Sequence, residues 1–295
     1  MTALDAGFIV NILQFNVLAD ALTDGFTHLA EGGGTSILEW SHRWPLIQKI
    51  LARESYDFIC LQEVDHYEDC FAPFLSELGY DGIFCQRRLE EAPISKDGAA
   101  LFWQRGRFAP VAASRTRKLF LNVTEHSKIF GLMHVFSSVG GKDSLYEGGE
   151  DPSLEGEGET FYRNVTVGVA CVHLSAKDKE AERLEEIESV LHATELILPS
   201  QVTFIVGDLN DTPDSAVCEK LKSRGYLGNH AEWSTWKRRA TGEIKRTIDQ
   251  IWHNPRKLRV AVLRQWSPKI RTCIPTARHP SDHLPLSSHY LISNQ

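Results

Sequence analysis

Apolar residues along the chain gather in short runs that are separated by polar segments. Five of these runs, at residues 8–15, 57–61, 98–103, 165–172 and 202–206, contain few polar positions. Near-continuous apolar runs of this length are typical of strands buried on both faces, whereas half-exposed strands alternate between apolar and polar residues. Two further runs, 247–252 and 284–292, are predicted to form the last strands.

Three other segments are predicted to be helices, at residues 41–54, 68–78 and 178–197. In the first, apolar side chains recur at helical spacing and Ser41 is the predicted N-cap. Helices separate many of the predicted strands but not all of them. This order predicts an α/β protein with mixed sheets rather than a purely parallel, doubly wound sheet.

Residues 137–160 interrupt the pattern, because they combine glycine and serine with many acidic residues and only one lysine, Lys142. A segment with so few apolar residues buries too little surface to order itself, which predicts a mobile acidic insertion on the surface. A regulatory or docking loop is the alternative. The sequence shows neither a linker between domains nor a leucine-rich repeat for docking, so residues 8–293 are predicted to form a single catalytic domain.

The formal net charge of −7 argues against a long nucleic-acid groove, although a local basic patch is compatible with it. We find no secretory signal and no apolar run of membrane-spanning length, and we expect no membrane partner. A cytoplasmic protein is expected, or a mitochondrial or other organellar one if a transit peptide has been removed.

Polar residues that could carry chemistry follow or border the predicted strands. Strand ends are rigid, and ligand sites of layered α/β proteins gather there, so these side chains are expected to converge on one point. A single Asp or Asn in such a position is more often a turn former or a helix cap, and it is their joint occurrence that points to a site. They are Asn16, Glu63, His173, Asp208, Asn210, Asp249, Asp282 and His283.

The order of these motifs resembles the endonuclease/exonuclease/phosphatase superfamily, the deoxyribonuclease-I-like fold. Further segments are similar to the nocturnin-like group within the carbon-catabolite-repressor deadenylases, among them 14–19, 61–67, 97–102 and 234–252. The resemblance implies a four-layer α/β sandwich of two mixed β-sheets flanked by helices. It also implies a metal-dependent hydrolase of phosphate esters.

The resemblance assigns a role to each polar residue. Glu63 is the implied metal ligand, and its hard oxygen atoms suit Mg²⁺, with Mn²⁺ as an alternative. Asp208 and Asn210 are expected to activate and orient water with help from Asn16, and His173 is expected to bind a phosphate oxygen. His283 is expected to act on the phosphate while a carboxylate holds it, and both Asp249 and Asp282 are candidates.

The substrate is left open between NADP(H), which would lose its 2′-phosphate, and the 3′ end of poly(A) RNA. In the nocturnin-like group two basic residues follow the histidine of the motif at His173, but here Ser175 and Lys177 occupy those positions. Arg87 keeps a third basic position. A catalytically inactive binding module is disfavoured, since every expected site residue is present.

A basic run, Lys237-Arg238-Arg239, stands beside Trp236. Aromatic and basic residues together can stack a base and hold phosphate, so Trp236 is a candidate for substrate binding. The alternative is a hairpin whose tryptophan side chains pack in the core and whose charges point outward.

Overall fold

The structure is a computed structural model that describes residues 7–23, 26, 34–86, 97–111, 117–118, 130–138, 165–196, 200–239 and 242–294. Arg87 and residues 139–160 of the predicted insertion lie outside the described residues. Residues 137 and 138, the start of that predicted insertion, are instead the last two residues of a strand.

The described residues form fifteen strands and four α-helices. The strands are β1 (Phe8–Asn16), β2 (Phe58–Val64), β3 (Tyr80–Gln86), β4 (Gly98–Gln104), β5 (Phe108–Pro110), β6 (Arg117–Lys118), β7 (Phe130–Ser138), β8 (Thr166–His173), β9 (Val202–Asp208), β10 (Leu227–His230), β11 (Thr235–Arg239), β12 (Gly242–Arg246), β13 (Asp249–Asn254), β14 (Arg259–Trp266) and β15 (Leu286–Ser293). The helices are α1 (Trp40–Leu51), α2 (Ala72–Glu77), α3 (Glu180–Leu196) and α4 (Ala216–Ser223).

Two mixed sheets contain all of these strands except β11 and β12, which form a separate hairpin. The first sheet has the strand order β14-β15-β1-β2-β4-β3. The second has the order β10-β13-β9-β8-β7-β5, with β6 also paired to β7. Each sheet contains one parallel pair near its centre, β1 with β2 in the first and β8 with β9 in the second. All the other described pairs are antiparallel.

The two sheets pack face to face, and helices cover their outer faces. The core between the sheets contains Val10 and Phe58 from the first sheet and Val169 and Phe204 from the second. On the outer side of the first sheet Ile47 of α1 packs with strand residues, and on the second sheet α3 and α4 do so. This arrangement confirms the predicted four-layer sandwich.

The near-continuous apolar runs became central strands because both of their faces are covered. Every residue of β9 is buried, and β1 contains a single half-buried position. Two of the strands that sequence reasoning did not predict, β3 and β14, form the edges of the first sheet. β14 is mostly exposed and carries arginines. The predicted N-cap Ser41 was wrong, since the helix begins at Trp40 and its N-cap is Glu39.

Close approach of the two central strands of the second sheet requires a glycine. A Cβ atom added to Gly207 would lie 1.9 Å from the carbonyl oxygen of Val172. Such a contact is far inside van der Waals distance, so a side chain at this position would push β8 and β9 apart. The residue therefore helps to fix the ends of both strands. Across the described ranges, none of the helices has the length and apolar character that a membrane crossing needs.

Candidate active site

The candidate site lies where the two parallel pairs end. The register of the first pair places Asn16 opposite Gln62, and the register of the second places His173 opposite Asp208. Asp249 begins β13 and pairs with Asp208. The ends of strands from both sheets thus bring together polar residues that are distant in sequence, as expected for a layered α/β protein.

Asn16 connects the two sheets at this edge. Its Nδ2 donates to Glu63 Oε1 at 3.0 Å and to Asp208 Oδ2 at 3.2 Å. Its Oδ1 accepts from the backbone N–H of Leu18, which fixes the orientation of the amide. The asparagine therefore sets the spacing between the half-buried carboxylate of Glu63 and the buried carboxylate of Asp208.

A buried chain of hydrogen bonds holds His283. Its Nδ1 lies 2.8 Å from Asp249 Oδ2, while Gln14 Nε2 donates to Asp249 Oδ1 at 2.7 Å. Of the two carboxylates that the sequence left open, Asp249 makes the hydrogen-bond contact, whereas Asp282 Oδ2 lies 3.9 Å from Nε2. Because the carboxylate accepts at Nδ1, the imidazole presents Nε2 to the site.

Burial and neighbouring carboxylates shift the pKa values of two of these groups. Burial and, next in size, repulsion from Asp249 together raise the pKa of Asp208 to about 7, against the attraction of His283. Burial disfavours the charged form of His283, but attraction from Asp249, together with that from Asp282 and Asp208, outweighs this effect and raises its pKa to about 9. Asp208 thus titrates near neutral pH, as a general base requires.

Lys237 belongs to the same cluster. Its Nζ lies 2.5 Å from Asp282 Oδ2 and 3.2 Å from His283 Nε2. Burial disfavours the charge of the lysine, yet attraction from Asp282 and other carboxylates raises its pKa, so it remains an ammonium group. An ammonium group can only donate, so the contact with Nε2 is a hydrogen bond when the imidazole is neutral. When Nε2 carries a proton the two cations repel each other, and an anion bound between them would relieve that repulsion.

His173 and Asn210 complete the cluster from the second sheet. His173 Nε2 lies 3.6 Å from Asp208 Oδ2. The backbone N–H of Asn210 donates to Asp208 Oδ1 at 2.9 Å, and its side-chain amide donates to the carbonyl of Leu174. These two bonds leave the amide oxygen of Asn210 as the group that can orient a water molecule.

Two residues of the cluster, Glu63 and Asn210, have strained backbone conformations. Glu63 has φ 57° and Asn210 has φ 50°, both in the left-handed region. A side chain in this region costs on the order of 1 kcal/mol, so it persists only when its surroundings impose it. At Glu63 the pairing between β2 and β4 also shifts register, which turns the carboxylate out of the ladder and toward Asn16.

The side chains present fit a divalent metal ion at Glu63. The carboxylate of Glu63 accepts from Asn16 Nδ2 and from the backbone N–H of Ala19, which leaves lone pairs for a cation. The ligand atoms of Asp208, Asp249 and His283 also lie within 4.8 Å of one another, but these three side chains are buried, whereas Glu63 is half-buried. Mg²⁺ usually keeps several waters when it binds protein carboxylates, so the more accessible Glu63 is the better metal ligand.

Two of the predicted substrate-binding residues lie apart from this cluster. Lys177 is exposed, has φ 73° and projects from the loop after β8. Trp236 lies on the face of β11 opposite to Lys237, where its ring packs edge-to-face against Trp233 and under Lys245 Nζ. The structure thus supports the hairpin interpretation for Trp236. It contradicts that interpretation for Lys237, whose side chain points inward.

Sequence reasoning missed Lys237, Gln14 and Gln62 as site residues. Gln62 Oε1 accepts from Gln14 Nε2 at 2.9 Å, so the two glutamines form a buried polar layer beneath Asp249. The available signal was the presence of a glutamine within an otherwise apolar strand, where an unpaired amide is costly. For Lys237 the signal was alternation along the hairpin strand, which places it on the same face as Thr235, the bridge partner of His283.

A four-layer sandwich with this acidic and histidine cluster at the strand ends defines a class of phosphoesterases. The model of the Endonuclease/Exonuclease/phosphatase family matches residues 13–283, which include every residue of the cluster. The chain belongs to this family, whose members are phosphoesterase hydrolases.

Within this family, the chain is similar to nocturnins along nearly its whole length. Nocturnin of Rattus norvegicus is 27% identical over 306 residues, which cover 94% of this chain and 64% of that protein's length. Nocturnin of Xenopus laevis is 28% identical, with 93% of this chain and 70% of the relative covered. The catalytic domain of human nocturnin, solved with a bound sulfate anion, has a TM-score of 0.67 and 24% identity; the match covers 97% of this chain and 94% of that one.

Proposed function

We propose that this chain is a divalent-metal-dependent phosphoesterase that removes the 2′-phosphate from NADP⁺ and NADPH. The observation that carries the proposal is the network joining Glu63, Asn16, Asp208, Asp249 and His283 across the two sheets. Support for the nucleotide substrate comes from the similarity to nocturnin along nearly the whole chain.

Asp208 is the proposed general base. Its pKa of about 7 leaves a large fraction ionised at neutral pH, and its carboxylate can accept a proton from water that Asn210 orients. The backbone bond from Asn210 keeps one oxygen of Asp208 in place. The other oxygen then faces Asn16, His173 and His283.

His283, Lys237 and His173 are proposed to bind the phosphate oxygens. A phosphate oxygen placed between His283 Nε2 and Lys237 Nζ would separate these two groups, which now lie 3.2 Å apart. The imidazole would then carry a proton on Nε2 while Asp249 stabilises its charge, and both cations would face the developing negative charge of the transition state. Asp282 would hold the lysine in position.

Glu63 is the proposed ligand of the metal ion, with Mg²⁺ or Mn²⁺ as the ion that its oxygen atoms suit. Enzymes of this family depend on divalent metals. The bound ion would supply positive charge that neutralises phosphate oxygens. Asn16 would keep the Glu63 carboxylate aligned through the Nδ2 hydrogen bond.

A second candidate function is removal of adenylate from the 3′ end of poly(A), and the loop after β8 favours it. Ser175 occupies a position where the nocturnin-like group has a basic residue. Its hydroxyl donates to Glu186 Oε1 at 2.6 Å and its backbone N–H donates to Oε2 at 2.8 Å. The side chain is therefore bound to α3, and it offers no positive charge to the phosphates of a dinucleotide.

Phosphate release from NADPH tests the leading proposal. The purified protein is incubated with NADPH and Mg²⁺, then with EDTA, and inorganic phosphate is measured. Metal-dependent release would support the 2′-phosphatase. A preparation that releases none, yet shortens oligo(A) in Mg²⁺, would replace the leading proposal with the deadenylase.

A further inference from the structure

A cavity of about 620 Å³ lies beside the candidate active site, between α1 and the loop that follows β14. Lys49 and Arg53 line it from the C-terminal half of α1 and the residues just after it. From the other side it is lined by Lys269, Arg271 and Arg278. Five cationic side chains thus surround one concave surface in a chain whose formal net charge is −7.

The positive charge of this cavity is not balanced by neighbouring carboxylates. In the described part of the chain, none of the five cations lies within 4 Å of an Asp or Glu carboxylate. Arg224, by contrast, pairs with Glu188 and Glu195. Unpaired cations that converge on a concave surface repel one another, so an anion bound there would relieve the repulsion.

Aromatic rings accompany the cations. The guanidinium group of Arg53 lies 3.9 Å from the ring centroid of Trp266, and both side chains line the cavity. Stacking on the indole orients the planar donors of the arginine and limits their freedom. Cationic and aromatic side chains around a groove are the combination that binds single-stranded nucleic acids.

One loop separates the cavity from the candidate active site. Thr276, Arg278 and His279 line the cavity, and five residues after Arg278 the same loop supplies His283. His279 Nε2 contacts the carbonyl oxygen of His283 at 2.6 Å. Five residues span at most about 18 Å, so a polymer held in the cavity would reach the active site within a few nucleotides.

We propose that this cavity binds the phosphate backbone of a single-stranded nucleic acid. The ligand class follows from convergent unpaired cations, an arginine stacked on tryptophan, and the short distance to a phosphoesterase site. The inference concerns binding alone and does not depend on which phosphate ester the active site hydrolyses. Failure of the proposed NADPH hydrolysis would therefore leave it intact.

The test measures binding of fluorescein-labelled oligo(A), about twelve nucleotides long, by fluorescence anisotropy in EDTA, which prevents metal-dependent cleavage. The cavity variant combines Lys269→Gln with Arg271→Gln. The matched control combines Lys257→Gln with Arg259→Gln, which removes the same charge from exposed positions outside the cavity. Arg259 and Trp266 begin and end β14, so the control lies about 23 Å from the cavity side of that strand.

Each lost phosphate contact should weaken binding about fivefold at about 0.1 M salt, because the logarithm of affinity changes by about 0.7 per contact and per decade of salt. The cavity variant should then bind about 25-fold more weakly. The slope of log affinity against log salt concentration should be shallower by about 1.4. The control should retain the salt dependence of the unmodified protein. Melting temperatures of both variants show whether the fold is intact.

Equal weakening by the two variants would overturn the proposal, since only net charge would matter, and so would unchanged binding by the cavity variant. A parallel measurement uses vesicles of phosphatidylcholine with about one-fifth phosphatidylserine. If the cavity variant loses vesicle binding but keeps oligo(A) binding, the cavity recognises an anionic lipid surface and the nucleic-acid proposal is wrong.

Discussion

Replacing Asp249 by asparagine should disable the site through its hydrogen bonds as well as its charge. The carboxylate of Asp249 accepts from Gln14 Nε2 at 2.7 Å and contacts His283 Nδ1 at 2.8 Å. An amide has one acceptor and one donor end. If its oxygen faces His283, its NH₂ opposes the NH₂ of Gln14. If its NH₂ faces His283, the imidazole proton moves to Nε2, against the ammonium group of Lys237 at 3.2 Å.

The expected magnitude is a loss of about 10³- to 10⁴-fold in kcat. General acid–base groups typically contribute about 10²- to 10⁴-fold, and the Asp→Asn change in a serine protease triad costs about 10⁴-fold through the wrong histidine tautomer. This corresponds to about 4–5 kcal/mol of transition-state stabilisation. The variant also removes the charge that raises the pKa values of both His283 and Asp208.

The assay is kcat as a function of pH, with NADPH or oligo(A) as the substrate that the protein accepts. For the unmodified protein, kcat plotted against pH should be bell-shaped. Activity needs Asp208 ionised, which holds above about pH 7, and His283 protonated, which holds below about pH 9. Both limbs should move to lower pH in Asp249→Asn. Asp282→Asn is the comparison, since Asp282 contacts Lys237 rather than the imidazole Nδ1. If Asp249→Asn keeps a tenth or more of the activity, the assignment of Asp249 is wrong.

Three further changes test other parts of the structure. Glu63→Ala should abolish Mg²⁺-dependent turnover with little change in melting temperature; unaltered activity would remove Glu63 from the metal site. Gly207→Ala should lower the melting temperature by several degrees or prevent folding, because its Cβ would meet the Val172 carbonyl, and a variant as stable as the parent would contradict the close strand approach. Burial lowers the pKa of His253 to about 4, so the unfolded chain binds the proton first and stability falls as the pH drops from about 6.5 to 4. His253→Phe should remove up to about 3 kcal/mol of this loss in the free energy of unfolding, so that the melting temperature falls less steeply with pH. An equally steep fall would mean that another group causes the loss of stability in acid.

The central strands were predictable because burial of both faces requires an almost continuous run of apolar residues. The runs that became β1 and β9 are apolar almost throughout, since helices and the opposite sheet cover both faces. β14 has an exposed and polar pattern, with Leu263 and Val262 among its exposed residues, so periodicity alone does not separate it from a loop. Its strand character comes from pairing with β15, which is a tertiary property.

The members of the candidate site were also predictable, but their connections were not. Asn16, Glu63 and Asp208 each stand at a strand end, which is a local property that the sequence displays. Which carboxylate faces Nδ1 of His283 depends on the register between β13 and β9 and on the conformation of the loop before β15. Neither is encoded in spacing along the chain.

Lys237 supplies the site with positive charge that the loop after β8 does not provide. Ser175 is bound to Glu186 and Lys177 points to solvent, so that loop brings little fixed positive charge toward a phosphate. Among the described residues of the cluster, Lys237 carries the cation whose charge persists through neutral and moderately alkaline pH, because its pKa is raised while His283 loses its proton near pH 9. Its pairing with Asp282 holds that cation against His283 before substrate arrives. A phosphate would therefore meet a lysine already in place at the proposed reacting group, and its binding would depend little on Ser175 and Lys177 of the loop after β8.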